Sequence, residues 1–441
     1  MSQQRQLHLN LLFNNAGNFS SAWRWPDSDP AAFYDVAYHV ATARLLEKGT
    51  FDAIFYSDVL ALNDTPECRP FQSLEPTILL ASIAAATTHL GLIGTISSSY
   101  NDPFNIARRL ASLDHVSRGR AGINIVTTAD AAAARNFGQA DVFDHADRYA
   151  RGVEFIEVLQ KLWDSWEDDA VIGDKPAGRL IDPARLHRVD HKGRYFDVQG
   201  PLTVPRAPQG RPVVVQAGAS PDGRAVAAPH AEIVFTSAHS IAEAAEYATD
   251  VRRRAQAFGR KPGDIAILPG LVTVLGSTEA QAKQRAQALW ELVPIKYGLN
   301  RLATVLDVDA RELDLDKPLP ANLPRPRNGS YTVFDKAVKL ARDGNLTVRE
   351  LIKAQGGGAT MHRVIVGTPE QVADSIAEWF ATGHVDGFNI VPDAIASGLE
   401  PLIDEVVPLL RRKGIFREHY EGKTLREHYG LPRPASSYAT H

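Results

Sequence analysis

The segment VVVQAGASPDGR, from Val213 to Arg224, predicts a strand that runs directly into a helix. Three β-branched residues in a row favour a buried strand, and the small polar residues after them favour a tight turn. The backbone N–H groups near Ala219 and Ser220 would then lie at a helix N-terminus, whose unpaired donors and partial positive charge suit a phosphate. An ordinary turn with Ser220 as the helix cap explains the same residues, so the segment alone leaves both interpretations open.

Seven other apolar segments of the chain are also followed by helical periodicity. The eight predicted strands are 7–13, 51–58, 90–96, 121–126, 213–215, 231–235, 265–275 and 385–391. Strict alternation of strands and helices predicts a parallel sheet covered by helices. Eight repeats predict that this α/β sheet closes into a (β/α)8 TIM barrel rather than staying open.

The chain has 441 residues, which exceeds the roughly 250 residues typical of this fold. A polar insertion at about 167–211 and an irregular one at about 294–360 explain the surplus. We expect a single barrel domain over residues 1–441. The second insertion, between strands seven and eight, is a candidate lid with Gly356–Gly358 as its hinge, and surface decoration is the alternative.

Composition excludes several classes of function. The net charge is −4 and no basic stripe is present, so nothing favours nucleic acid or an anionic membrane surface. Cys68 is the only cysteine, so no internal disulfide can form, which fits a cytoplasmic protein. The N-terminus resembles no signal peptide, and no segment approaches the roughly 18 apolar residues of a membrane span.

Several sequence motifs are absent. No G-x-G-x-x-G follows a strand, and no Walker loop is present, so neither dinucleotide nor nucleotide binding of these types is predicted. The histidines lack the spacing of metal ligands, and we expect no metal site. No G-x-S-x-G elbow supports a hydrolase.

Chemistry in such barrels lies on the loops at the C-terminal ends of the strands. Asp58 ends strand two and could accept a hydrogen bond from a sugar-alcohol hydroxyl or a ring N–H; it could equally be a helix cap or a surface acid. Ser97–Ser99 end strand three, although serine is a poor strand former. A bulge that brings the backbone against a flat ligand would explain them, and so would an ordinary loop.

His145 and Tyr149 lie four residues apart near the start of a long helix, so they share one face of it. With the turn at Ser220 they could form a phosphate or ribityl contact. The alternative is an ordinary helix start, with Asp144 as its cap and His145 in solvent.

Long ordered motifs carry a family resemblance. They include FDAIFYSD, SSSYNDPFNIARRLASLDHVSRGRAGINIVTTA, HADRYARGVEFIEVLQKLWDSWED, VVVQAGAS, VGTPEQVAD and DGFNIVP. Together they resemble the luciferase-like flavin monooxygenases, in the group that oxidises nitrilotriacetate, dibenzothiophene sulfone and long-chain alkanes. The resemblance extends from about Leu7 to Pro434.

The resemblance implies an FMNH2-dependent monooxygenase, the oxygenase component of a two-component system. It would activate O2 as a flavin 4a-hydroperoxide to oxidise an aminopolycarboxylate, an organosulfur compound or a similar small molecule. A separate NADH-dependent flavin reductase would supply the reduced FMN, and relatives imply a homo-dimer or tetramer. The implied FMN contacts are Asp58, a residue of Thr95–Ser99 such as Thr95 or Ser97, Thr128, His145, Tyr149 and Ser220.

One position departs from the alkane-oxidising relatives. They carry a histidine where this chain has Ala129, so an imidazole role is lost there and alkane hydroxylation is in doubt; the aminopolycarboxylate relatives also lack that histidine. An anionic substrate would need cations at the mouth of the barrel, and candidates in or beside the second insertion are Arg301, Arg325, Arg327 and Arg363. The alternative, favoured for most of them, is that they are solvated surface arginines. Two alternatives stay open: a barrel oxidoreductase that uses a deazaflavin, and a flavin-binding protein without catalysis.

Overall fold

The computed structural model describes residues 5–62, 65–70, 74–326, 331–355 and 362–438. Its centre is a closed barrel of eight parallel strands, each paired with its neighbours in the chain, with the last strand paired to both the first and the seventh. The strands are β1 His8–Phe13, β2 Ala53–Tyr56, β3 Gly91–Ser97, β4 Ala121–Val126, β5 Val213–Ala217, β6 Ile233–Thr236, β7 Ala266–Leu275 and β8 Gly387–Pro392. The predicted TIM barrel is confirmed.

Helices cover the outside of the barrel. Their bounds are Val36–Lys48, Pro76–Ala86, Pro103–Ser117, Ala131–Asn136, His145–Asp164, Pro221–His230, Ile241–Gln256, Glu279–Glu291, Ile295–Leu306, Tyr331–Asp343, Val348–Ala354, Pro369–Ala381, Ile395–Pro401, Val407–Arg412 and Leu425–His428, with a π turn at Leu402–Val406. All residues of β3 and β7 are buried, as expected for strands covered on both faces. Within the described ranges, no helix is long and apolar enough to cross a membrane.

A ninth parallel strand, Arg363–Gly367, was not predicted. It pairs with Leu271–Leu275, the C-terminal half of β7, while β6 pairs with Ala266–Pro269 of the same strand. The ten-residue β7 therefore extends past β6, and the extra strand occupies the edge that β6 leaves open.

The prediction of irregular structure at 294–360 was wrong. The helices Ile295–Leu306, Tyr331–Asp343 and Val348–Ala354 share an apolar cluster of their own, built around Leu306, Phe334 and Leu351. The proline-rich stretch between the first two helices made the whole insertion look irregular, so the helical spacing of the apolar residues on either side of it was not recognised. The predicted hinge, Gly356–Gly358, lies outside the described residues.

The insertion at 167–211 contains two short antiparallel hairpins, Val171–Asp174 with Arg179–Ile181 and His191–Lys192 with Asp197–Val198. It is tied to the long helix His145–Asp164, because the Glu154 carboxylate accepts hydrogen bonds from the backbone N–H groups of residues 194–196. This insertion therefore braces the helix that carries His145 and Tyr149.

The C-terminal segment closes the N-terminal end of the barrel. Leu425 packs against Gly91 and Gly122 at the starts of β3 and β4, where any side chain larger than hydrogen would meet it. Tyr429 donates a 2.5 Å hydrogen bond to Asn10 inside the barrel. Arg426 forms an ion pair with Glu232, just before β6. The floor of the barrel is therefore built from the end of the chain.

Candidate active site

A groove at the C-terminal mouth brings four of the predicted site residues together. Asp58, Thr95, Ser97 and Thr128, from β2, β3 and β4 and the loops that follow them, line one groove. Its other walls are Val59, Leu60, Val126, Asp130 and Ala133. The groove therefore combines apolar walls with hydroxyls and carboxylates, a composition that suits a flat ring with polar edges.

Hydrogen bonds hold the groove hydroxyls in place. The Thr128 hydroxyl donates to the Ser97 hydroxyl over 2.7 Å, and the Asn124 amide donates to the Thr95 hydroxyl over 3.0 Å. The other polar atom of that amide, Asn124 Oδ1, is buried without a hydrogen-bond partner in the described part of the chain. The register of β3 on β4 is continuous, so no bulge is present and the serines form an ordinary strand end.

Asp58 is half-buried in the groove and caps no helix, because Glu75 caps the next one. Burial raises the pKa of Asp58 to about 6, and repulsion from Glu75 acts in the same direction. The Val59 N–H opposes the shift. Near neutral pH this carboxyl can therefore hold or release a proton, which a surface acid cannot do.

The four other predicted residues form a second cluster at two helix starts. Ser220 caps the helix Pro221–His230, accepting a hydrogen bond from the Gly223 N–H over 3.1 Å. The Tyr149 hydroxyl lies 3.4 Å from the Ser220 hydroxyl. The ring of His145 lies 4.8 Å from that of Tyr149, and its Nε2 lies 3.7 Å from an Asp222 oxygen.

The simpler interpretation of these residues, as ordinary helix starts, is met only in part. Ser220 is a helix cap, as the simpler interpretation predicted. Asp144 holds the N-cap position of the long helix, but its side chain makes no capping hydrogen bond. His145 is largely exposed, yet it lies beside Tyr149 rather than alone in solvent.

Glycines bring the turn around Ala219 close to the following helix. A Cβ on Gly218 would lie 3.2 Å from the Gly223 Cα, tighter than most real contacts. Tyr247 donates a 2.7 Å hydrogen bond to the Gly218 carbonyl, and Arg224 binds the Ala219 carbonyl over 3.2 Å. Both donors lie on helices that surround the barrel, and their hydrogen bonds fix the backbone of the turn.

Arg148 connects the two clusters and was missed by the sequence reasoning. It is buried, and one of its guanidinium nitrogens lies 3.5 Å from the Thr128 carbonyl. Its Nε has no hydrogen-bond partner within the described ranges. The motif HADRYAR contains this residue, but helical periodicity does not reveal that an arginine is buried.

Part of the loop after β4 covers the groove. The Asn136 amide donates a 2.8 Å hydrogen bond to the Leu60 carbonyl, which joins this loop to the loop after β2. Tyr100 stacks on Phe137 with the rings 4.8 Å apart and nearly parallel. The short helix Ala131–Asn136, which was not predicted, supplies this cover.

Of the arginines suggested as partners of an anionic substrate, the three that the structure describes do not form one site. Arg301 is exposed, and Arg325 lies 3.3 Å from Asp335 on the insertion. Arg363 packs over Trp379 on the outer layer and donates to the Ser375 hydroxyl. Arg327 lies outside the described residues. Among the described side chains, no group of three His, Cys, Asp or Glu residues could hold a metal ion.

Residues 16–386 match the luciferase-like monooxygenase family. The chain is 41% identical over 452 residues to nitrilotriacetate monooxygenase component A of Aminobacter aminovorans, covering 100% of this chain and 99% of the relative. It is 40% identical over 439 residues to N-acetyl-S-(2-succino)cysteine monooxygenase of Bacillus subtilis (strain 168), covering 99% of each. The structure of a riboflavin lyase with modified FMN and riboflavin superposes with a TM-score of 0.86 at 33% identity, over 98% of this chain and 97% of the other.

The barrel, its polar mouth and these matches define a class, the flavin-dependent monooxygenases. Within that class, the chain belongs to the luciferase-like monooxygenase family.

Proposed function

We propose that this protein is the oxygenase component of a two-component system, which uses reduced FMN and O2 to oxidise a small organic molecule. The observation that carries the proposal is the groove over β2–β4 together with the Tyr149–Ser220 contact beside it. The relatives that are named for nitrilotriacetate and for N-acetyl-S-(2-succino)cysteine support a small organic substrate.

The donor set fits FMN. The helix start at Ala219 and Ser220, with the Tyr149 hydroxyl and His145 beside it, offers donors of the kind that hold a phosphate. Thr95, Ser97 and Thr128 offer hydroxyls for the ribityl chain or the polar edge of the ring, and Asp58 can face a ring N–H. The apolar walls suit the faces of the ring. When bound, reduced FMN supplies the activation of O2.

The protein's own contribution would be to orient the flavin and exclude water. The loop that Asn136 fixes to Leu60 already covers part of the groove. The helix Ile295–Leu306 reaches the mouth through Tyr297, which receives a hydrogen bond from Arg69. We propose that the insertion at 294–360 is the lid, in one domain with the barrel.

The reductant would come from a separate NADH-dependent flavin reductase, because the chain lacks a dinucleotide motif. The relative's name, component A, describes one part of such a system. A homo-oligomer of the oxygenase is also proposed.

Flavin binding and reoxidation test the proposal directly. Anaerobically reduced FMN is mixed with the protein and then with oxygenated buffer, while absorbance follows the flavin. We expect protein-bound FMN to reoxidise more slowly than free reduced FMN. Reoxidation at the rate of free FMN, with no binding detected by fluorescence, would contradict the proposal.

Two serine caps provide a matched pair of variants. Ser240 caps the helix Ile241–Gln256 as Ser220 caps Pro221–His230, but Ser240 is not part of the candidate site. Ser220→Ala and Ser240→Ala should each lower the free energy of unfolding by about 1 kcal/mol. Only Ser220→Ala should also weaken FMN binding, by about 10- to 100-fold for a lost hydrogen bond to a charged group. Equal FMN affinity in both variants would remove Ser220 from the site.

A further inference from the structure

A second polar position lies at the mouth, on the loop that follows β2, at the end of the neighbouring strand β1. This loop begins at Asp58 in the groove and later passes over the end of β1. There the Arg69 guanidinium donates to the side-chain carbonyl of Asn14, the residue after β1, over 3.0 Å. It also donates over 3.0 Å to the hydroxyl of Tyr297, on the first helix of the insertion.

Residues 68 and 70, on either side of Arg69, are held by hydrogen bonds within the protein itself. The Asn15 amide donates to the Pro70 carbonyl over 3.0 Å, and the Trp23 indole N–H donates to the Cys68 carbonyl over 2.9 Å. Both donors come from the loop after β1. Arg69 is therefore held between three elements of the mouth, and its guanidinium is pre-positioned rather than free in solvent.

Arg69 differs from the cations around it in its partners. Lys296, one residue from Tyr297, forms an ion pair with Glu67, and Arg285 forms one with the buried Asp393. The two acceptors of Arg69 are uncharged, and no carboxylate partner for it occurs within the described ranges. A half-buried guanidinium with neutral partners keeps its charge and its remaining N–H donors available to an anion.

We propose that Arg69 binds a carboxylate of the substrate, so that the enzyme acts on carboxylate-bearing small molecules. This inference rests on the proposed function, because it takes the groove over β2–β4, at the same mouth of the barrel, as the flavin site. The planar guanidinium can bind a carboxylate through two parallel hydrogen bonds. Because Tyr297 contacts the same guanidinium, a bound carboxylate would also meet the first helix of the lid.

Binding to the full-length protein, loaded with oxidised FMN, tests the inference by calorimetry. The probes are nitrilotriacetate and succinate, each compared with its methyl ester. We expect at least one acid to bind and its ester to bind at least 10-fold more weakly, with an affinity that falls as salt is added. Equal binding of acid and ester, or binding of neither acid, would overturn the inference.

Two variants with the same change in net charge locate the site. Arg69→Gln should weaken binding of the acid by about 10- to 100-fold, as expected for lost hydrogen bonds to a charged group. Lys296→Gln, a control on the neighbouring exposed cation, should leave it unchanged. Arg69→Lys keeps the positive charge but lacks the planar guanidinium that can bind a carboxylate through two hydrogen bonds. Its affinity for the acid should therefore lie between the affinities of the other two variants. Equal losses in Arg69→Gln and Lys296→Gln would overturn the inference.

FMN affinity separates the two proposals. If wild-type protein binds no FMN, the proposed function fails, and the acid–ester comparison in flavin-free protein still reports on Arg69. If Arg69→Gln binds FMN as the wild type does but loses the acid, the inference stands. If Arg69→Gln binds both FMN and the acid as the wild type does, Arg69 serves only to fix the loop and the inference is wrong.

Discussion

The two ends of the barrel use polar residues in opposite ways. At the N-terminal end, Asp52 accepts hydrogen bonds from His8 Nδ1 at 3.0 Å and from the Leu9 N–H at 2.7 Å, and it also binds Arg417. Burial by itself raises the pKa of Asp52, but Arg417 and His8 outweigh it and the pKa is lowered. At the C-terminal end, burial and the Glu75 charge raise the pKa of Asp58 to about 6, and the Val59 N–H is the opposing contribution.

We infer that polar residues at the N-terminal end of the barrel serve stability, whereas those at the C-terminal end serve function. Charges at the floor are paired with each other, and this closes the barrel with the end of the chain. Buried polar atoms without a hydrogen-bond partner occur at both ends of the described structure, Arg417 Nε and His428 Nδ1 at the floor and Asn124 Oδ1 and Arg148 Nε at the mouth. The ends differ in their cations: Arg417 has a carboxylate partner, whereas Arg69 and Arg148 have none within the described ranges. A cation without a carboxylate partner can pair with an anion, so the mouth is the end at which a ligand would supply the missing charge.

The largest effect is expected from breaking the buried pair at the floor. Arg417→Ala would leave the Asp52 carboxylate fully buried without its cation, which costs about 3–5 kcal/mol of unfolding free energy. Chemical denaturation of the variant measures this loss. FMN affinity per folded molecule should be unchanged, because the site is at the other end. The double variant Asp52→Asn with Arg417→Ala should recover part of the stability, and a loss of FMN affinity would show that the two ends are coupled.

Acid should weaken the floor through His428. Burial lowers the pKa of His428 to about 4, against the opposing effects of the Asp52 charge and the His89 carbonyl, its hydrogen-bond partner at 2.8 Å. Below the ordinary value near 6.5, the unfolded chain binds a proton that the folded chain excludes, so stability falls as pH drops from about 6.5 towards 4. The loss attributable to this group is about 2 kcal/mol at pH 4.5.

His428→Gln removes that proton-linked difference. Relative to its own value at pH 7.5, the variant should lose less unfolding free energy at pH 4.5 than the wild type does. Denaturant titrations at the two pH values make the comparison, and the change that the substitution causes at pH 7.5 accounts for altered packing. Parallel pH dependences of variant and wild type would show that His428 is not the group responsible.

The sequence predicted one end of the barrel much better than the other. Strand ends such as Asp58 and Ser97 follow from local periodicity, so the residues of the mouth could be chosen in advance. The floor could not, because contacts such as Arg417 with Asp52 join residues 365 apart and leave no local pattern. Arg69 and Arg148 were missed for the same reason: whether an arginine is paired depends on what surrounds it in space.

At the mouth, Tyr149→Phe should separate ligand binding from stability. Its hydroxyl lies 3.4 Å from the Ser220 hydroxyl, and the ring packs at the edge of the core. Removing only the hydroxyl should weaken FMN binding by about 1 kcal/mol, roughly fivefold, and change unfolding free energy by less than about 0.5 kcal/mol. Fluorescence titration of FMN and thermal unfolding measure the two quantities. A large loss of stability with unchanged FMN affinity would assign Tyr149 to the scaffold.

The smallest effect is expected from an ion pair on the outer surface. Lys48 lies 2.8 Å from Asp404, and both side chains are largely exposed. Like Arg417 with Asp52, this is a cation–carboxylate pair, but water already solvates both charges, so their attraction is screened. Lys48→Gln should therefore leave the denaturation midpoint within the error of the measurement. If the variant were destabilised as much as Arg417→Ala, burial would not be what distinguishes the floor, and its paired charges would have no special part in closing the barrel.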